Sequence, residues 1–474
     1  MIYQTTAAST SMVDPLALDL LRMALPGRVH TPDDIGYNAA RSGFSLTDTP
    51  TPEIVVMAES AADVVAAVKF ARLQQLPVGV HATGHNFGFP FKQGLRVNTS
   101  RMQTFSIDPA ARTARVEAGV RWGAVVQAAH QYGLAPLNGS SPLVGVVGYS
   151  LFGGFGWLLR KYGAAVDSVI AAELVTADGQ LRRVSAEDEP ELFWALRGAS
   201  GNFGIVTALE FKLYPVSELY GGALFFPIER AAEVLATYSQ WTASLPDELT
   251  SSVVLMRVPP LPHIPEPLRG KAVITVRGAF LGGEAEGARL LQPLRDLGGL
   301  IADTFHMLPY SQGATIANDP TDPMPTWRKT MMLKDLSPET IATILATDGA
   351  DGSVPVMLLE VRHLGGALAR MPADSTSFSQ RNAPYIMQTL DVLTTPQAAE
   401  RAKRHTQAIF EAMQPHSTGG VLPSWLGDGD YGVERMRAGF APEHYQRLVA
   451  LKDRYDPTNM FRMNHNIPPS GFEQ

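Results

Sequence analysis

Cysteine is absent from all 474 residues, which excludes disulfides, thiolate metal sites and cysteine nucleophiles. No block of basic residues interrupts a net charge of −7, so nucleic acid and anionic membrane surfaces are not expected partners. No run approaches the ~20 unbroken apolar residues of a membrane span. Residues 1–13 carry no positive cluster followed by an apolar stretch, so no secretory signal is expected and the expected location is cytoplasmic. The dinucleotide fingerprint G-x-G-x-x-G opening a helix is also missing, which makes a nicotinamide-type Rossmann domain a poor fit. Ser150 is not a hydrolase nucleophile elbow, because Phe152 stands where the elbow needs glycine. Internal repeats, low-complexity tracts and metal-ligand motifs are lacking as well.

What remains is an ordinary globular composition, 45% hydrophobic and 18% charged. Its length is too great for one core and predicts two domains. Residues 15–25 carry a helical apolar pattern begun by proline and stopped by Pro26-Gly27. Residues 52–58 read as a strand, Ser60 caps a helix over 61–75, and 77–81 read as the next strand, a βαβ opening. Strands are expected at 112–119, 169–177 and 203–214, with a helix at 122–132 ended by Gly133. From about 218 to 420 the texture changes. Strand-like runs (252–258, 271–280, 354–362) alternate with helices (229–243, 284–296, 338–346, 394–413), joined by proline-rich loops at 259–267 and 319–325. This predicts an antiparallel sheet backed by helices. A helix at 443–453 and a tail at 455–469 follow.

Two glycine-bearing stretches organise this chain. After Val78 and Val80 comes the loop His81-Ala82-Thr83-Gly84-His85-Asn86-Phe87-Gly88, leading on to Val97-Asn98-Thr99-Ser100. Its glycines permit close backbone approach and a run of N–H groups suited to a pyrophosphate. Taken alone, the loop reads equally well as a turn bearing a surface histidine. The second stretch runs from Asn138-Gly139-Ser140-Ser141 through Val144-Gly145 and Gly148-Tyr149 to Gly153-Gly154-Phe155-Gly156, a chain suited to lying flat against a planar ligand. Together with Lys161-Tyr162-Gly163, Asp167-Ser168-Val169, Asn202-Phe203-Gly204-Ile205-Val206-Thr207 and the C-terminal Tyr455-Asp456-Pro457 to Asn464-His465-Asn466, they resemble the vanillyl-alcohol-oxidase superfamily. The resemblance is to its berberine-bridge-enzyme-like and hydroxynicotine-oxidase-like branch.

That resemblance implies an α+β fold with a PCMH-type FAD-binding domain at 1–217, a substrate domain at 218–420 and a C-terminal return at 421–474. It implies FAD, with Val80, His81, Ala82, Thr83, Gly84 and Asn86 from the first loop beside it. Gly139, Ser140, Ser141, Val144, Gly145, Gly148, Tyr149, Gly153, Gly154, Gly156, Ile205, Val206, Asn464 and Asn466 are expected there too. His85 matches the histidine joined covalently to the flavin 8α-methyl group, and attack there needs a neutral imidazole. Where doubly tethered relatives carry cysteine stands Ser141, a poor nucleophile without a base, so a single tether is expected.

The pattern also departs from the family. Thr83 replaces a common glycine, His81 a common arginine, and Phe152 interrupts a run of glycines. Leu422 and Ser424 stand where many relatives place tyrosine and asparagine. Catalytic candidates are therefore His465, as proton acceptor or donor to the flavin N1/C2=O edge, and Tyr310, His363 and Tyr385. Glu360 and Arg362, two apart on a probable strand, read as an ordinary salt bridge. The expected enzyme is an oxidase of secondary metabolism. It would pass hydride from a C–H next to oxygen or nitrogen to flavin N5 and reduce O2 to H2O2. Its substrate would be a neutral or mildly cationic small organic molecule. Alternatives are a dehydrogenase of the same fold using another acceptor, or a non-catalytic flavin- or ligand-binding protein.

Overall fold

A computed structural model of the chain describes residues 13–47, 50–85, 91–262, 264–348, 357–427 and 429–472. The architecture is α+β, built on three sheets of four, five and eight strands. In the first sheet, strand Ile54–Met57 leads into helix Ala61–Leu73. Ser60 caps that helix by accepting from the Asp63 N–H. The helix lays Val64, Ala67, Val68 and Ala71 into the core. Strand Val78–His81 returns parallel but not beside the first, because Leu95–Asn98 sits between and pairs parallel with both. All four residues of that inserted strand are buried, as a central parallel strand requires. Arg96 disguises the strand by breaking its apolar run. Its charge is accommodated by donation from Nε to His81 Nδ1 at 2.8 Å.

The five-stranded sheet runs Phe105–Asp108, Thr113–Glu117, Ile205–Lys212, Val169–Val175, Leu181–Ser185, antiparallel throughout. Helix Trp122–His130 packs Trp122, Val125 and Ala129 into the core it shares with this sheet. Gly133, at φ +67°, supplies the left-handed turn after that helix.

The eight-stranded antiparallel sheet takes all its strands from Glu218 to Val392. Five of these strands were not among the sequence expectations: Glu218–Pro227, Ala302–Asp303, His306–Pro309, Thr326–Leu333 and Tyr385–Val392. Arg328 and Lys329, or Gln388 and Asp391, interrupt the apolar runs of the last two. Helices Ala231–Thr242, Glu284–Arg295, Pro338–Asp348 and Pro396–Ala412 contribute Leu235, Leu291, Ile344 and Ile409 to a core with one face of the sheet. Side chains alternate between faces. Arg277, Ser252 and Arg362, paired across three strands, therefore share the opposite face with Val254, Glu360 and Gln388 two residues along.

Helix Pro442–Tyr455 then brings the chain back to the first two sheets. Lys452 and Asp456 form a fully buried ion pair at 2.7 Å. Lys452 Nζ also donates to the Asn202 carbonyl, and the Asp456 carboxylate accepts from the Met460 and Phe461 N–H groups. Lys452→Met strands a buried carboxylate and should cost about 3–5 kcal/mol. Urea denaturation checks this; a loss below about 1 kcal/mol would contradict the electrostatic role of the pair.

Candidate active site

The inner face of the large sheet does not close onto the smaller sheets. Between them lies a cavity of about 540 Å³, within the range of small-molecule sites. Val80, His81, Ala82, Thr83, Gly84 and His85 line one wall. Phe44 and Ser45 donate their N–H groups to the Thr83 and Gly84 carbonyls, pinning the loop from behind. The N–H groups of residues 82–85 have no acceptor among the described residues, as a loop that receives an anion would need. Asn86, Phe87 and Gly88 lie outside the described residues.

His85 is fixed from two sides. Its ring stacks on Phe44 at 4.0 Å with 9° between planes, and Nδ1 shares a 2.9 Å hydrogen bond with Thr83 Oγ1. Its buried Nε2 has no hydrogen-bond partner among the described residues. Burial, aided by Arg121 and Arg328, lowers its pKa to about 4, so the imidazole is neutral at pH 7.

The glycine-rich stretch forms a second wall, with Gly139, Ser140, Ser141, Val144, Gly145, Gly148, Tyr149 and Gly154 lining the cavity. Its glycines do different jobs. A Cβ at Gly148 would meet nothing within 4 Å, so this position leaves open space. At Gly139 and Gly154 a Cβ would strike the Tyr149 ring, so these residues make room for that tyrosine as well as edging the cavity. Gly153 and Gly156 do not line the cavity, contrary to expectation. The first yields to Phe378, and at the second a Cβ would lie 1.8 Å from the Asn138 carbonyl oxygen.

Ile205 and Val206 contribute to the lining, as do Asn464 and His465 from the tail. Asn466 does not. His465 is 8% exposed, and its Nδ1 has no hydrogen-bond partner among the described residues. Burial lowers its pKa to about 4, outweighing the opposing pull of Asp430. Of the pair Leu422 and Ser424, only Ser424 reaches the cavity. Leu422 is packed with Phe155 and Phe378.

Three expected catalytic residues lie outside this cavity and serve packing. Tyr310 donates to the Pro136 carbonyl and to Asn138 Oδ1, Tyr385 pairs with Thr242, and His363 Nε2 meets the buried Arg160 guanidinium at 3.1 Å. Glu360 and Arg362, read from the sequence as a plain salt bridge, instead line the cavity together with Arg277, Gln388 and Trp425. Glu360 Oε2 pairs with Arg362 Nε at 3.0 Å and accepts from Gln388, while its buried Oε1 has no hydrogen-bond partner among the described residues. Arg362 and Arg277 outweigh the cost of burial and keep the Glu360 pKa below its ordinary value. Strand alternation placed Glu360 and Arg362 on one face; the missing information was what that face meets.

These residues fit FAD: a loop whose N–H groups have no acceptor among the described residues, glycine surfaces without side chains, and a neutral histidine whose buried Nε2 has no partner among those residues. They define a flavoprotein oxidoreductase. Residues 52–185 match the family described as FAD binding domain, and 427–468 match berberine and berberine like. The chain is 30% identical over 458 residues to the uncharacterized FAD-linked oxidoreductase YgaK of Bacillus subtilis, covering 94% of this chain and 97% of that one. It is 30% identical over 471 residues to (R)-6-hydroxynicotine oxidase of Paenarthrobacter nicotinovorans, covering 95% and 98%. The crystal structure of 6-hydroxy-D-nicotine oxidase from Arthrobacter nicotinovorans superposes with a TM-score of 0.82 at 27% identity, covering 94% and 98%. The chain belongs to the berberine-bridge-enzyme-like FAD-linked oxidoreductases, and its cofactor is FAD. Among the described residues no helix is long and apolar enough to cross a membrane, and no cluster of metal-ligating side chains is present.

Burial also lowers the pKa of His363, to about 3. His85, His363 and His465 are thus neutral when folded and return to an ordinary value near 6.5 when unfolded. Unfolding therefore takes up protons below that pH, and stability present at pH 7 drains as pH falls from about 6.5 toward 4. The Tm should fall through this window. The fall should be shallower in His363→Gln, which removes one of these titrating groups; an unchanged slope would show that His363 titrates normally.

Proposed function

We propose that this enzyme is an oxidase acting on a C–H next to oxygen or nitrogen in a small organic substrate. One observation carries the reading: His85, His465 and Glu360, each with a buried side-chain atom that has no hydrogen-bond partner among the described residues, all line one cavity. When bound, FAD would take the hydride at N5 and pass the electrons to O2, giving H2O2. His85 would carry a single covalent tether, oriented by Thr83 and Phe44. Ser141 is hydrogen-bonded only weakly, accepting from Leu143 N–H at 3.4 Å, and would add no second bond. Val80 to Gly84 would hold the cofactor's phosphates, while Gly145, Gly148, Ile205, Val206 and Asn464 would border its ring.

Glu360 would accept the substrate's companion proton. Its buried Oε1 has no hydrogen-bond partner among the described residues, and the neighbouring guanidinium groups keep the carboxylate ionised at pH 7. His465 would be a second acceptor from the opposite wall, or a donor to the flavin N1/C2=O edge. Val144, a small side chain on the cavity wall, suits oxygen access. The oxidase name of the hydroxynicotine relative supports O2 as electron acceptor.

The holoprotein should be yellow, and acid precipitation should leave the colour in the pellet. In His85→Ala the colour should move to the supernatant; a wild type that releases all its flavin would refute the tether. Anaerobic mixing with alcohols and amines should bleach the flavin band, and air should restore it. With any substrate so found, Glu360→Gln should slow reduction by about 10²–10⁴-fold at unchanged FAD content. A wild-type rate would remove Glu360 from the proton path, and the same measurement on His465→Ala tests the tail.

A further inference from the structure

We propose that Arg277 is an anion anchor in the substrate chamber, and that the substrate carries a carboxylate on an apolar body. This rests on reading the cavity as the substrate site. Arg277 is 7% exposed and lines that cavity. Its guanidinium donates to Met256 Sδ at 3.7 Å, and among the described residues no carboxylate oxygen lies within 4 Å of it. The nearby acids are engaged elsewhere: Glu360 pairs with Arg362 and accepts from Gln388, and Asp319 accepts from Ser140 Oγ. Both attract Arg277 from a longer range, while Arg362 repels it.

A buried guanidinium without a contacting counterion is costly, and folded proteins rarely keep one unless something pairs with it. Here the open side of the group is the cavity itself. Its planar fork matches a carboxylate with two parallel hydrogen bonds. A phosphate fits less well, because its charge of about −1.5 to −2 calls for a second free cation. Arg362 is already committed, and Glu360 and Asp319 would repel a dianion. Further along the same sheet face, Leu358 and Leu390 line the cavity, and Trp425 borders it from the C-terminal segment. Together they offer an apolar surface to the rest of the molecule. The class is therefore an alcohol or amine with a carboxylate and an apolar or aromatic body. This differs from the neutral or mildly cationic substrate expected from the sequence.

The test uses the holoprotein with three probes: benzoate, benzamide and inorganic phosphate. Binding is read by flavin difference spectra and by thermal shift. Benzoate should bind at least ~10-fold tighter than benzamide, as a charge-assisted pair predicts. Arg277→Met should erase that preference while leaving FAD content and benzamide binding unchanged, and Arg277→Lys should retain part of it. Equal affinity for benzoate and benzamide, or no benzoate binding at ~10 mM, overturns the proposal. So does tighter binding of phosphate. An Arg277→Met protein that keeps the benzoate preference but loses FAD would place the guanidinium against the cofactor and overturn it too. A preparation without flavin would fail the functional reading instead, and thermal shift would still report on Arg277.

Discussion

Asn202 is fully buried and uses all its hydrogen-bonding side-chain atoms where the tail meets the cavity wall. Its Nδ2 donates to the Ala199 and His465 carbonyls, its Oδ1 accepts from the Ile467 N–H, and its own carbonyl accepts from Lys452. The Met460 carbonyl also accepts from the Val78 N–H, at the start of the strand that ends in His81. Through these bonds His465 borders the same cavity as His85, 380 residues earlier in the chain. A buried amide this fully used is expensive to disturb, since each broken bond leaves an unsatisfied group behind. The node therefore fixes the position of the tail more rigidly than apolar packing alone would.

The other wall depends on a different constraint. An antiparallel sheet has two faces, and here the first is committed to four helices. The second carries a polar band of Arg277, Arg362, Glu360 and Gln388, a composition that cannot simply be packed into an apolar interior. Partial pairing within the band, Glu360 with Arg362 and Gln388, lowers its cost but leaves the buried Glu360 Oε1 without a hydrogen-bond partner and the cavity-lining Arg277 without an ion-pair partner among the described residues. Such incomplete satisfaction is uncommon in a core and ordinary in a binding site. The large sheet is thus both the scaffold and a wall of the cavity.

Burial makes the histidines usable. Removing water from His85 and His465 lowers both to about 4, so each presents a lone pair at neutral pH without an adjacent base. The tilt toward the neutral form comes mainly from desolvation, which is why two histidines on different walls behave alike. Arg328, which acts on both, adds to it.

Much of this was legible in the sequence. The resemblance carried by the glycine-rich motifs and their order implied an α+β flavoprotein with FAD, and the periodicity of the long helices located them. These signals are local: a glycine reports its own backbone, and a helix its own stripe. The strands of the large sheet were less visible, because the face that borders the cavity carries charged residues and breaks the alternation that marks a strand. Tyr310, His363 and Tyr385 looked like candidates because a residue type announces its chemistry but not its surroundings. Only the fold turned them into packing and turned the Glu360–Arg362 pair toward the cavity. The same holds for Gly153 and Gly156, whose missing side chains accommodate protein atoms. What lies opposite a side chain depends on contacts between residues distant in the chain, and no local pattern encodes it.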